Sequence, residues 1–148
     1  MLLSIIGVLA VIFGLICWLG QSLAVLHLPT AVKFGVFEPE KDVDKGMWLI
    51  ERFSMGIMDI LLLWTLPAAG LLMVLQNPYW MIIALISGGI YIYFPGEFIL
   101  TRIILKKHGL KIGSDSAVKT AYIFGIIWMI FGFIMIYLSV NELLALLR

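Results

Sequence analysis

Hydrophobic positions in this chain fall into four long runs, and most of the charge is collected in the stretches between them. A helix rises about 1.5 Å per residue, so about 20 apolar residues cross a hydrocarbon core. Leu2 to Leu26, Gly56 to Leu75, Trp80 to Leu105 and Val118 to Val140 each reach that length. Backbone polar groups cannot go unpaired in lipid, so each run is predicted to be helical. The predicted fold class is therefore all-α: an integral membrane bundle of four transmembrane helices, forming one domain over residues 1–148. The link Gln76-Asn77-Pro78-Tyr79 is short enough to make spans two and three antiparallel neighbours. Tyr79 and Trp80 suit one membrane interface and Trp48 the other.

Punctuation within the runs adds shape. Pro67 and Pro95 each remove a backbone donor and predict a kink in spans two and three. Gly7 and Gly14 share one helix face, as do Gly125 and Gly132, and Gly88 and Gly89 add small residues to span three. Such positions let backbones approach closely, so they predict helix–helix contacts. The two long loops share a pattern: Lys33-Phe34-Gly35-Val36 and Lys107-His108-Gly109-Leu110 each read as a helix end with Gly just past it. Asp42 and Asp44 follow in one loop, Ser114 and Asp115 in the other, as candidate N-caps of the next helix. Two duplicated hairpins would produce this, and so would two loops meeting the same physical demands. In loop one, Leu28 to Phe37 mixes aromatic and basic residues in a way that suits headgroups, and from Asp44 the second helix can begin before its apolar run.

Charge placement gives the chain a direction. Nine of the ten Lys and Arg residues lie in or beside the first and third loops, and Arg148 is the exception. Positive residues are retained on the cytoplasmic side, so loops 27–55 and 106–117 are expected to be cytoplasmic and both termini non-cytoplasmic, in a plasma (inner) membrane. The first run lacks a basic n-region and is too long for a signal-peptide core, so it reads as a retained span.

Composition narrows the function classes. At 63% hydrophobic and 13% charged, the chain has too little polar surface to coat a soluble core. A net charge of +1 offers no general field for nucleic acid, which is not expected as a partner. Cys17 is the sole cysteine, so no intramolecular disulfide can form. His27 and His108 are far apart and form no metal-ligand spacing, so no metal site is expected. The motifs GxSxG, HExxH, CxxC and the P-loop are absent, and no residue is assigned a catalytic role.

The best chemical lead is a set of polar residues at one depth. Asp59 lies 17 residues from Gln76, Glu97 lies 18 from Tyr79, and Gln21 lies 19 from Leu2. At helical rise, all three lie about 25–29 Å from the far surface, near the cytoplasmic edge of the hydrocarbon. On an ideal helix Glu51, Arg52 and Asp59 share a stripe, and Gly89, Tyr93, Glu97 and Thr101 form another. A carboxylate in lipid costs on the order of 3 kcal/mol, so Asp59 and Glu97 are expected to face the interior or a basic partner. Arg52 is the expected partner of Asp59 or Glu97, and Arg102 of Glu51. Glu51, Arg52, Asp59, Glu97, Arg102, Gln21 and Tyr93 are thus the candidates for ligand binding or ion pairing.

Glu51-Arg52, followed by Gly56 and Asp59, resembles the E-R-x-x-x-N-x-x-E stretch of MAPEG proteins, the membrane-associated proteins of eicosanoid and glutathione metabolism. Gly56 stands where that pattern has Asn, Asp59 where it has Glu, and the proline that usually follows soon after is displaced to Pro67. The resemblance implies a trimer binding glutathione between subunits near the cytoplasmic side. Glu51, Arg52 and Asp59 would then take thiol-ligand or interface roles. Beyond that implied glutathione, the sequence names no cofactor.

Three functions are consistent with these features. The leading one is a small polytopic, non-enzymatic membrane protein: an assembly subunit, or a binder of lipid or a small ligand, with a polar cluster near the cytoplasmic face. Its partners would be the bilayer itself and either its own copies or other membrane subunits. The alternatives are a MAPEG-like glutathione- or lipid-handling enzyme, and a proton- or ion-coupled carrier acting as an oligomer.

Overall fold

The computed structural model describes residues 2–147. Arg148, the basic residue set apart by sequence, lies outside the described residues. The described chain is helical, with α1 (Leu2–Leu26), α2 (Leu28–Lys33), α3 (Lys45–Leu49), α4 (Gly56–Leu62), α5 (Thr65–Val74), α6 (Trp80–Lys107) and α7 (Asp115–Leu146). A π-helical turn, Ile50–Met55, joins α3 to α4. Four helical stretches are long and apolar enough to cross a membrane: Leu2–Leu26, Lys45–Val74, Trp80–Lys107 and Asp115–Leu146. The second begins well before its apolar run and the fourth slightly before, because polar caps start them. The Asp44 carboxylate accepts from the Gly46 and Met47 N–H groups, and the Ser114 hydroxyl accepts from the Ala117 N–H.

Small residues decide which helices touch. A Cβ on Gly7 would lie 2.8 Å from the Gly70 carbonyl oxygen, and one on Gly14 would meet the Pro67 ring, so α1 and α5 pack backbone to backbone. A Cβ on Gly88 would lie 2.7 Å from the Gly132 carbonyl oxygen, which closes α6 on α7 in the same way. Gly89 has nothing within 4 Å and faces outward. The two helix pairs meet where α5 packs on α6. Ala10, Leu66, Met73, Ala84, Tyr91 and Met135 are sealed between them. Trp80 belongs to this core and is 4% exposed, while Tyr79 beside it is 67% exposed.

The second span is broken between α4 and α5, and the break follows from Pro67. Proline has no N–H to return to the Leu63 carbonyl, and its ring crowds that oxygen. Among the described residues, no backbone N–H reaches the Leu63 carbonyl. Side chains donate to this carbonyl and to the three before it: Trp18 Nε1 to Ile60 at 2.9 Å, Trp64 Nε1 to Leu61 at 2.8 Å, Thr65 Oγ1 to Leu62 at 2.7 Å and Tyr91 Oη to Leu63 at 3.0 Å. An unsatisfied backbone group in lipid costs several kcal/mol. The four donors therefore make the break tolerable, and two of them bring α1 and α6 to it.

A second, smaller core lies at the loop end of the bundle. Val43, Met47, Trp48, Ile112 and Val118 are buried together, with Leu28, Phe37, Leu105 and Tyr122 packed against them. Val43 and Ile112 form an antiparallel bridge, and the Asp44 N–H donates to the Lys111 carbonyl at 2.8 Å. The two loops thus fold onto each other as one cap. Gly35 and Gly109, the residues just past α2 and α6, have φ of +68° and +75°, the left-handed conformation of a helix stop.

Candidate functional site

Arg102 is the centre of the cap. It lies on α6 five residues before the helix ends, and the loop-three segment from Lys111 to Ser114 folds back over it. Its side chain is 5% exposed. Nε donates to Glu51 Oε1 at 3.2 Å and Nη2 to Glu51 Oε2 at 2.9 Å, a bidentate pair. Nη1 donates to Glu38 Oε2 at 2.9 Å and also to the Ile112 carbonyl oxygen. Guanidinium carries five N–H donors, and four of them are committed here. The face of the Phe98 ring covers the cation, 4.5 Å from Cζ.

Glu38 completes the knot from loop one. Its second carboxylate oxygen accepts from the Ser114 N–H at 2.8 Å, and its backbone carbonyl accepts from Trp48 Nε1 at 3.1 Å. Gly113 has a φ of +107°, and a Cβ there would overlap the Glu38 carboxylate. Glycine at 113 is therefore required twice, by its conformation and by the acid lying on it. One cation thus joins loop one, the second span, the third span and loop three.

Arg52 goes elsewhere. On an ideal helix it shares a face with Asp59, but the intervening π-helical turn closes i→i+5 bonds and changes the phase of the helix. Glu51 consequently faces α6. Arg52 faces α1, where Nε donates to the Ala24 carbonyl at 3.2 Å and Nη2 to the Val25 carbonyl at 3.5 Å. Cations are favoured at a helix C-terminus, where the last carbonyls lack helical donors. The Trp48 and Phe53 rings flank the guanidinium at 5.2 and 4.7 Å. Arg52 therefore does not pair with Asp59 or Glu97.

The remaining candidates separate in the same way. Asp59 is buried on α4, and Glu97 is half-buried on α6. Gln21 is half-buried on α1 and joins neither group. Tyr93 is 62% exposed and packs edge-on against Phe94, and it turns outward with Gly89, whereas Glu97 and Thr101 of the same stripe are half-buried. The structure thus brings Arg102 to Glu51, and leaves Arg52, Asp59, Glu97, Gln21 and Tyr93 outside that pair.

Sequence reasoning passed over two residues. Glu38 sits in an irregular loop, where no periodicity points at a partner. Tyr91, fully buried at the helix break, is hidden in an apolar run. Pro67 was its signal, since a proline in a span implies a donor for the carbonyl four residues earlier.

A family model described as protein of unknown function (DUF2953) matches residues 110–141, the end of loop three and most of α7. That stretch includes Ile112, Gly113 and Ser114 of the knot, and is less than half of the chain. No curated protein and no solved structure matches the chain. No MAPEG model matches either, which corrects the resemblance drawn from Glu51, Arg52 and Asp59. The geometry gives the reason. Glu51 is neutralised inside the fold by Arg102, and Arg52 is held on carbonyls of α1. The similar spacing therefore serves internal packing, and the glutathione role implied by the resemblance goes with it.

Proposed function

We propose that this chain is a small, non-enzymatic membrane protein whose loops form a rigid basic platform on the cytoplasmic face, binding the anionic headgroups of that leaflet. Loops 27–55 and 106–117 would be cytoplasmic and the termini on the opposite side, in keeping with positive residues being retained inside. The outward apolar faces of α1 and α7 would meet lipid, further copies or other membrane subunits.

The observation that carries this reading is a surplus of exposed positive charge at the loop end, where Glu40 and Asp115 are the exposed acids against seven exposed lysines. Glu38 and Glu51 are turned inward and consumed by Arg102. All seven lysines, Lys33, Lys41, Lys45, Lys106, Lys107, Lys111 and Lys119, are exposed. Phe34 and Val36, 70% and 41% exposed beside Lys33, add apolar side chains at the same level. Basic residues near an anionic leaflet contribute about 1 kcal/mol each, so such a cap favours acidic over zwitterionic lipid.

The test is thermal unfolding of the purified protein with added phosphatidylglycerol or phosphatidylcholine. The acidic lipid is expected to raise Tm by a few degrees more than the zwitterionic one. High salt should erase the difference, because exposed charges are screened. Replacing Lys33, Lys41, Lys45 and Lys111 together by Gln should erase it as well. Equal effects of the two lipids on the wild type contradict the reading.

A further inference from the structure

An open groove of about 390 Å³ runs between α1 and α5 on the outside of the bundle. Val11, Leu15 and Trp18 line one wall, and Trp64, Pro67 and Ala68 the other. The break in the second span gives these walls their character. Trp18 Nε1 donates to the Ile60 carbonyl and Trp64 Nε1 to the Leu61 carbonyl. Each indole has only that one polar hydrogen, so both offer the groove apolar ring surface alone. Trp rings ordinarily collect at membrane interfaces. Trp64 stands instead near the middle of its apolar run and is 45% exposed.

The groove leads toward the loop end along the seam where α1 packs on α4. Trp18 holds Ile60 there at 2.9 Å, and a Cβ on Gly56 would lie 2.6 Å from Val25 Cγ2. Arg52 stands at the head of this seam. Its Nε donates to the Ala24 carbonyl at 3.2 Å and its Nη2 to the Val25 carbonyl at 3.5 Å. A guanidinium has five N–H groups, so three are left over, among them one on each Nη that together make an end-on fork. Among the described residues, the carboxylates that pair with arginine are both held by Arg102, and none lies within 4 Å of Arg52. Arg52 is half-buried, so its charge is neither cancelled by the fold nor fully in water. Such a fork matches two oxygens of a phosphate.

The distances suit a lipid. Along α1, Trp18 is about 10 Å from Val25 and Val11 about 21 Å. One leaflet of hydrocarbon is about 15 Å deep. A lipid whose phosphate rests at Arg52 therefore has a chain long enough to enter the groove. We propose that Arg52 and the α1–α5 groove form a site for one glycerophospholipid, with its phosphate on the guanidinium and an acyl chain against Trp18 and Trp64. This site reads the phosphate and the chain, not the net charge of the headgroup, and so stands apart from the lysines of the cap.

Native mass spectrometry of the delipidated full-length protein tests it, with dioleoylphosphatidylcholine and dioleoylglycerol as probes. Phosphatidylcholine has no net charge, so exposed lysines do not favour it. One phosphatidylcholine is expected per chain, bound about tenfold or more tighter than the diacylglycerol that lacks the phosphate. Arg52→Gln should lower phosphatidylcholine to the affinity of diacylglycerol and leave diacylglycerol unchanged, a split that a purely structural Arg52 would not produce. Ala68→Leu fills the groove without touching Arg52 and should weaken both lipids severalfold. Circular dichroism melts establish that each variant is folded, and Ala68→Leu with the wild-type comparison decides the matter if Arg52→Gln is not. Replacing Lys33, Lys41, Lys45 and Lys111 together by Gln should change neither affinity, which separates this site from the basic platform. Equal affinity for the two lipids in the wild type, unaltered phosphatidylcholine binding in folded Arg52→Gln, no effect of Ala68→Leu, or binding lost with the lysines each overturns the site.

Discussion

Individual side chains in this bundle are valued by what they leave behind when removed. A buried donor that satisfies a carbonyl contributes modestly to stability, but taking it away leaves the carbonyl without a partner at a cost of about 1–3 kcal/mol. Tyr91 is such a donor, because Pro67 cannot supply the N–H that the Leu63 carbonyl lacks. Tyr91→Phe is expected to destabilise the protein by about that amount in equilibrium unfolding. Pro67→Ala restores a backbone N–H, so in that background the same substitution should cost much less. Additive effects of the two changes would break the link between Tyr91 and the proline. Glu38 and Gly113 illustrate another residue-scale rule. The acid is held by Arg102 and the Ser114 N–H, and it fits only because position 113 has no side chain.

At the scale of elements, packing in a membrane depends on how closely backbones approach, since lipid is as apolar as the side chains. Gly88 and Gly89 are adjacent in sequence and opposite in consequence. A Cβ at Gly88 would press on Gly132 of α7, and one at Gly89 meets open space. Gly88→Ala should therefore cost about 1–3 kcal/mol by overpacking, and Gly89→Ala little or nothing. Comparable melting temperatures for the two variants would contradict the α6–α7 contact. The four spans were legible in sequence because apolarity over about 20 residues has few other solutions. The caps at Asp44 and Ser114 and the stops at Gly35 and Gly109 were legible because they obey local chemistry. The facing of Arg52 was not legible. A stripe drawn at 3.6 residues per turn assumes one uninterrupted α-helix, and the π-helical turn at Ile50–Met55 changes the phase between Arg52 and Asp59. Glu38 was hidden for a different reason, since its partner is 64 residues away and nothing local encodes that pairing.

For the whole molecule, the main question is what holds the loop end shut. The apolar bundle joins α1 to α5 and α6 to α7 through small residues, while the cap is joined through charge. A buried ion pair often contributes little against an apolar replacement, but removing one member strands the other and costs about 3–5 kcal/mol. Its value here is placement: a single guanidinium fixes loop one, the second span and loop three against the third span. The basic surface is thereby carried on a folded cap, which suits a platform better than a mobile loop. The measurement that tests this most directly is a double-mutant cycle on Arg102→Met and Glu51→Leu, read by equilibrium unfolding in detergent. Each single substitution should destabilise by about 3–5 kcal/mol, and the double variant should lose clearly less than the sum, although Arg102→Met also strands Glu38. Singles that cost nothing, or a double variant that loses the full sum, would contradict a closed ion-pair knot as the fastening of this protein's loop end.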